Sequence, residues 1–478
     1  MPVTRGSRTS RKREAGGADS SVGGGCDVHD SLNVRASHER SAVGVCRAGD
    51  LFSDLPKEGV ALQPALAAAP IDRRSVVSLF SRLRTADGQS NSLPLYAKLR
   101  AMGDIVQAPW GGYLATSYGL CHQLLRSRSW RVPDSAWRAR QDDVARWNAS
   151  ASRQMGDTLP MLNPPHHTRV RRSLGNVFDR KSLADMKSSV EQTTSRLLDR
   201  FEEELVYGQA DFCALVSEEL PVITIGEWLK VPPADYGLLR SLTHDQVYTQ
   251  ELFPTPSQLA LSDESTHQLR EYFTALVSER RRKPGDDPVS SWLRVWDAQE
   301  PDRDAADEAV YALTLFMVLA ALETTAHVLS SAVRLLLEHP RQLNWLRAHP
   351  EQIPDAVDEV LRYDAPIHMI SRVAPEDTEL AGVTVRKNEM VQLMVGAAHH
   401  DPNHYAAPED FDIHRRASQL AFGGGIHYCL GNALARMEAD CLLTGLLERL
   451  PGLRISAPPV WEPRVAFRRM ITLPVVRG

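Results

Sequence analysis

The chain has 478 residues, 43% hydrophobic and 24% charged, with a formal net charge of −5. That is a globular composition, long enough for several domains or one large fold, and its acidic balance argues against a nucleic-acid binder. Its cysteines (Cys26, Cys46, Cys121, Cys213, Cys429 and Cys441) show no framework spacing, which fits a reducing cytoplasm better than secretion.

No run reaches the 18 or more apolar residues of a membrane span, so no membrane anchor is expected. Ala309 to Leu322 reads as a buried core helix. The N-terminus carries arginines but no apolar h-region. Residues 1–72 include a Ser/Gly/Arg-rich stretch from Gly6 to Gly25 and a basic cluster at Arg11–Arg13. Such a segment buries too little apolar surface to order itself, so a disordered tail is expected there. The folded domain is expected over 73–478.

In chain order, the pattern predicts a helix over Leu93–Met102, ended by Gly103. A hairpin follows over Ile105–Ser117 with Gly111-Gly112 at its turn. Helix resumes at Leu120–Leu125. Residues 127–159 are polar, with tryptophans and a possible short helix over 134–147. Helices are then predicted at His167–Phe178, Leu183–Tyr207, Leu215–Leu229, Ala234–Val247 and Ser265–Arg282. A long one covers Ala305–Glu338, stopped by Pro340, and Arg341–Ala348 and Pro354–Tyr363 follow. Strands are predicted at Ile370–Val373, Leu380–Val385 and Met390–Val395. A last helix covers Ala433–Leu450, and a final hairpin falls in 460–476.

The stretch Leu420 to Ala435 concentrates the chemistry. Gly423, Gly424 and Gly425 permit a tight turn that aims backbone N–H groups at Cys429. Those donors, with the start of the following helix, favour a thiolate. Gly431 leaves room for something flat and bulky against the backbone. A lone thiolate suits a metal, and the lack of a Cys-x-x-Cys pair argues against zinc.

The spacing Phe422-Gly423-x-Gly425-x-His427-x-Cys429-x-Gly431 resembles the haem-ligand signature of the cytochrome P-450 monooxygenases. The resemblance implies that Cys429 is the axial ligand of a haem b iron, with Phe422, Gly423 and Gly431 around it and His427 near a propionate. Arg372 matches a second propionate ligand. His167 and Arg171, four apart on one helix face after Asn163-Pro164-Pro165, match the family's other propionate pair. Arg169 and Arg172 are expected to face solvent. Gln419 stands where the family often has a propionate-binding histidine.

On the long helix, Ala320-Ala321-Leu322-Glu323-Thr324-Thr325 puts an acid and a hydroxyl inside an apolar element. Alone, that pair fits Thr324 bonding back to the carbonyl four residues earlier and Glu323 in an ion pair. Beside Cys429 it resembles the family's oxygen-activation segment, which implies that Thr324 and Glu323 deliver protons there. Ala321 replaces the family's usual glycine, which puts the proton path in doubt. Glu359-x-x-Arg362 faces itself across one helical turn. By resemblance it joins Arg415 in a buried structural triad supporting the cysteine loop.

The resemblance covers roughly 73–478 and implies a mainly α fold with a small β region: one large haem-binding domain. Its expected activity is activation of O2 with two electrons to hydroxylate or epoxidise a small organic substrate, in natural-product biosynthesis. Aryl coupling, nitration or ring closure on the same haem remains open, as does a haem sensor. The substrate pocket is expected at Phe316, Ala320, Ile367, His368, Ile370 and Phe467, with His368 as its polar handle. Trp and Arg in 128–148 hint at an aromatic or acidic substrate. With no flavin or iron–sulfur module visible, electrons are expected from a ferredoxin and its reductase. Arg436 and exposed arginines of the 167–178 helix are expected to face that donor.

Overall fold

The structure is a computed structural model that describes residues 73–141, 144–175, 177–416 and 418–478. The tail expected over 1–72 lies outside the described residues.

The fold is built along one helix, Arg303–Glu338, of 36 residues. Asp302 caps its start, accepting from the N–H groups of Asp304 and Ala305 at 3.0 and 3.4 Å. It is the one described helix long and apolar enough to cross a membrane, but 67% of its apolar window is buried by the rest of the fold. Its N-terminal half packs with helices Glu219–Leu229, Tyr236–Gln246, Pro256–Arg282 and Pro288–Asp297. Its C-terminal half joins a second core with Arg180–Val206, Ile353–Tyr363 and Asn432–Arg449. A helix buried on all sides needs no polar stripe, which is why the sequence shows none here.

That burial is also interrupted at the middle of the helix. Leu315 and Val318 are fully buried and Leu319 nearly so, yet Ala320 is exposed and Thr324 half-exposed in the middle of the molecule. The two cores part there and leave a cavity.

A mixed four-stranded sheet closes one side, in the order 105–107, 113–115, 390–393, 370–373. The first pair is the predicted hairpin, with Ile105 opposite Ala115. Strand 113–115 then pairs in parallel with 390–393, and 370–373 pairs antiparallel with 390–393, Arg372 opposite Val391. A three-stranded sheet orders 209–211, 474–477 and 453–455. The overall class, helical with a small β region, is as expected.

Local departures have local causes. Helices at Arg73–Leu83, Ser150–Gly156 and Pro288–Asp297 were not expected. Pro256–Arg282 begins before Ser265 because Thr255 and Gln258 form a capping box with Pro256 at the first position. The single strand expected at Leu380–Val385 is a hairpin of Thr378–Leu380 and Val383–Val385, since Ala381 and Gly382 take positive φ. The possible helix over 134–147 resolves into two turns, Ser135–Arg138 and Ala145–Asn148.

Candidate active site

The cysteine loop is shaped by what it packs against. Gly423 and Gly425 have φ of +70° and +63°, while Gly424 is extended. A Cβ on Gly425 would sit 2.9 Å from the Leu125 carbonyl oxygen, and one on Gly424 3.1 Å from Arg126 Cγ. The glycines therefore serve the close approach to helix Tyr118–Arg126 as well as the turn. The Cys429 N–H donates to the Phe422 carbonyl at 2.9 Å, and Asn432 Nδ2 donates to the Cys429 carbonyl at 2.9 Å. His399, unremarked in the sequence, accepts from the Leu420 N–H at 2.7 Å and fixes the loop's start. Burial pushes the Cys429 thiol up, opposed by the Gly431 N–H and by Arg171 and Arg436.

Cys429 lines a cavity of about 360 Å³. Ala320 and Thr324 of the long helix line the same cavity, as do Phe316, Ile367, Ile370 and Phe467. Gly431 borders the cavity and a Cβ there would meet no protein atom within 4 Å.

On one wall, His167, Arg171, Arg372 and His427 come together. The two imidazoles stack edge-on at 4.5 Å, and His167 Nε2 is buried without a partner. Arg372 is 4% exposed; its side chain donates to the Ser371 carbonyl at 3.0 Å and meets no carboxylate among the described residues. Burial lowers its guanidinium to about 10. Burial also lowers His427 to about 3, helped by Arg372 and His167.

Two expected residues lie elsewhere. Glu323 turns away from the cavity, and its carboxylate pairs with buried Arg464, which also meets Glu462 at 2.8 Å. Thr324, on the cavity side, donates to the Ala320 carbonyl at 2.8 Å. The local pairing expected of this acid and hydroxyl by themselves is thus the observed one, and Glu323 is not among the described residues that line the cavity. His368 is likewise absent from the wall. It is buried against Tyr96, whose hydroxyl lies 2.5 Å from Nδ1, and against Gly396, where a Cβ would come within 2.9 Å of the ring. Met369 lines the cavity in its place.

Glu359 and Arg362 form a bidentate pair with both contacts at 2.8 Å, and Arg415 reaches Glu359 at 3.3 Å. The expected triad is assembled, and Glu359 also accepts from the Asp412 N–H at 2.9 Å. Several arginines expected to be free are engaged. Arg169 meets Glu300 at 2.9 Å and lies over Trp296. Arg436 pairs with Asp358 and lies over Phe422. Arg172 is exposed as expected. Gln419 accepts from the Ala421 N–H at 2.6 Å.

Sequence reasoning missed Glu438. It is 3% exposed, borders the cavity, and has an unpartnered Oε1; burial raises it to about 8. No sequence signal marks it, because a glutamate in Glu438-Ala439-Asp440 reads as a solvated helix face.

The family model described as Cytochrome P-450 matches residues 246–452. The chain is 31% identical to cytochrome P-450 140 of Mycobacterium tuberculosis over 399 residues, 81% of this chain and 90% of that one. It is 30% identical to the polyketide biosynthesis cytochrome P-450 PksS of Bacillus subtilis, over 77% of this chain and 89% of the relative. Among solved structures, P-450 BioI in complex with an acyl carrier protein ligated to hexadec-9Z-enoic acid superposes with a TM-score of 0.74. That match is 28% identical and covers 82% of this chain and all of the other. The chain therefore belongs to the cytochrome P-450 family, a family of oxidoreductase monooxygenases.

Its cofactor is haem b. The residues present fit that group. Haem brings a flat macrocycle, an iron and two carboxylates, and the cavity offers an open backbone face at Gly431, a thiol at Cys429 and a buried cationic wall. His167 Nε2 and Arg372 are the donors left for those carboxylates.

Proposed function

We propose that this chain is a haem-thiolate monooxygenase that oxygenates a small, mainly apolar organic molecule in natural-product biosynthesis. The observation that carries the reading is that Cys429 and the Ala320–Thr324 break line one cavity together with a cationic cluster. Bound haem supplies O2 activation driven by two electrons, with thiolate ligation favouring O–O cleavage. Cys429 holds the iron. His167, Arg171, Arg372 and His427 hold the propionates, and with these carboxylates beside it the Arg372 charge is no longer buried alone. Phe422, Gly423 and Gly431 leave the macrocycle its space.

Thr324 is the group that holds and passes a proton at the cavity wall, through Oγ1. Its hydrogen bond to the Ala320 carbonyl fixes the hydroxyl's position and leaves the oxygen's lone pairs free to accept. Glu323 is a positioning residue: its pairing with Arg464 ties the helix at this turn to the C-terminal region. Phe316, Ala320, Ile367, Ile370 and Phe467 shape the substrate pocket, with Met369 in place of His368. Glu359, Arg362 and Arg415 support the cysteine loop.

The tailoring role is supported by PksS, which belongs to polyketide biosynthesis, and by the acyl-carrier ligand of P-450 BioI. A ferredoxin and its reductase are the proposed electron donors, and the cytoplasm the proposed compartment. The segment 1–72 is proposed as a tail without catalytic function.

The test is the absorption spectrum of the dithionite-reduced, haem-loaded protein with and without carbon monoxide. A strongly red-shifted Soret band is expected in the wild type and not in Cys429→Ser. An unshifted, ordinary haem band in the wild type would overturn Cys429 as ligand.

A further inference from the structure

The cavity wall carries more positive charge than haem uses. Among the described residues its lining holds four arginines (Arg138, Arg146, Arg171 and Arg372), two histidines, and Glu438 as its one carboxyl group. Arg171, Arg372, His167 and His427 are accounted for by the two propionates on the reading above, upon which this inference rests. Arg138 and Arg146 are left.

Both come from the segment that bridges to the His167 helix, and both are placed with care. Arg138 is 6% exposed, donating Nε to the Pro133 carbonyl at 2.9 Å and Nη1 to the Ser152 carbonyl at 2.6 Å. Arg146 donates Nη1 to the carbonyls of Glu251 and Leu252 at 2.7 and 3.1 Å, while its Nε is buried without a partner. The Trp147 ring lies beside both guanidinium groups, with Arg146 at 3.9 Å and Arg138 at 5.2 Å from its centroid.

Neither arginine has a carboxylate within ion-pair distance among the described residues. Of the described acids nearby, Asp157 lies beyond ion-pair distance of Arg138 and accepts from Ser135 Oγ at 3.4 Å, and the other two are occupied. Glu251 accepts from the N–H groups of Val465, Ala466 and Phe467 at 2.8, 3.1 and 2.8 Å. Asp134 accepts from the Trp137 N–H and from Asn163 Nδ2, both at 2.8 Å. Two guanidinium groups beside one indole, bonded among the described residues only to carbonyls and lining a largely apolar cavity, are costly unless an anion joins them.

We propose that Arg138 and Arg146, both beside Trp147, bind a carboxylate borne by an otherwise apolar substrate. The arginine fork matches a carboxylate's two oxygens, and the neighbouring indole provides a flat apolar surface for the adjoining carbon skeleton. The pocket residues already named then receive the apolar remainder. The substrate class is thus an organic acid, not a neutral hydrocarbon or an amine.

The experiment is a spectral titration of the haem-loaded enzyme, following the Soret shift that accompanies substrate entry. Matched pairs are dodecanoate with dodecanamide, 4-phenylbutanoate with its amide, and 2-naphthoate with its amide. In at least one pair the acid is expected to bind about tenfold more tightly or better, the range of a charged hydrogen bond. Arg146→Gln and Arg138→Gln should each reduce that preference, and Arg146→Lys should keep part of it. Equal binding of acid and amide in every pair, or no Soret response to any probe, overturns the proposal. So does an acid preference that survives Arg138→Gln/Arg146→Gln. Faster haem loss in these variants with an unchanged preference would instead assign the two arginines to the propionates. Imidazole binding and the carbon monoxide spectrum are recorded on the same samples. A failed thiolate signature there counts against the function itself, whereas an intact signature without acid preference counts against this inference alone.

Discussion

Arg362 and Arg372 are almost equally buried, at 1% and 4% exposed, but the protein treats them oppositely. Arg362 makes five hydrogen bonds: two to Glu359 and three to the carbonyls of His399, Pro408 and Asp410. Arg372 makes one, to its neighbour's carbonyl, and faces the cavity. A charge answered wholly from within the chain belongs to the frame. One answered by almost nothing among the described residues is open to a ligand. The same contrast separates the Glu359 triad from the pair Arg138 and Arg146.

The strongest way to test this contrast is at the frame. Glu359→Ala leaves Arg362 buried with three carbonyl bonds and no acid, and frees Arg415 from its acid. We expect a loss of ~3–5 kcal/mol, the cost of uncoupling a buried ion pair, seen as a lower urea midpoint with poor haem content. A midpoint within ~1 kcal/mol of wild type would show that the carbonyls alone satisfy Arg362.

Glu438 sharpens the comparison, because it is an acid the protein leaves without a cation. Its folded-state pKa, raised by burial to about 8, lies well above the unfolded value near 4.5. The sign follows: the folded state holds a proton that the unfolded chain releases. Its contribution is therefore full below pH ~4.5 and lost as pH rises through ~8, by up to ~1.4 kcal/mol per pH unit. Glu438→Gln keeps the shape without the titration. Its stability relative to wild type should grow by a few kcal/mol (roughly 2–4) between pH 5 and 8 and level off above that. Parallel stability–pH curves for the two proteins would place a carboxylate, not a carboxyl, at this position.

How much of this was legible in the sequence depended on the range of the contact. The cysteine loop could be read because its donors, turn and thiol lie within ten residues. Glu359 and Arg362 could be paired because one helical turn separates them. Glu323 and His368 were assigned to the cavity by position, yet their partners come from far along the chain. Arg464 reaches Glu323 from the C-terminal region, and His368 fits where it does because Gly396 has no side chain. The turn that splits the strand expected at Leu380–Val385 and the helix Ser150–Gly156 were missed for the complementary reason: their patterns are too short to outweigh local ambiguity. Arg138 and Arg146 were visible as residues, but their lack of acidic partners is a fact of packing that no spacing encodes.

Arg372 gives the smallest expected effect and the most direct test of the contrast. In the frame, removing a charge should break the fold; at the cavity wall, it should spare the fold and weaken the ligand. Arg372→Leu deletes a buried cation that has one backbone bond and pairs with the apolar surroundings of strand 370–373. Helix content should therefore be retained, since Arg372 pairs with no carboxylate among the described residues. Haem loses one charge-assisted contact, worth ~1.5–3 kcal/mol, so its transfer to excess apomyoglobin should be roughly tenfold faster or more. If helix content fell along with haem, Arg372 would belong to the frame after all, and burial without partners would cease to mark a ligand site in this chain. If haem left at the wild-type rate, the propionates would have to be held by His167, Arg171 and His427 without it.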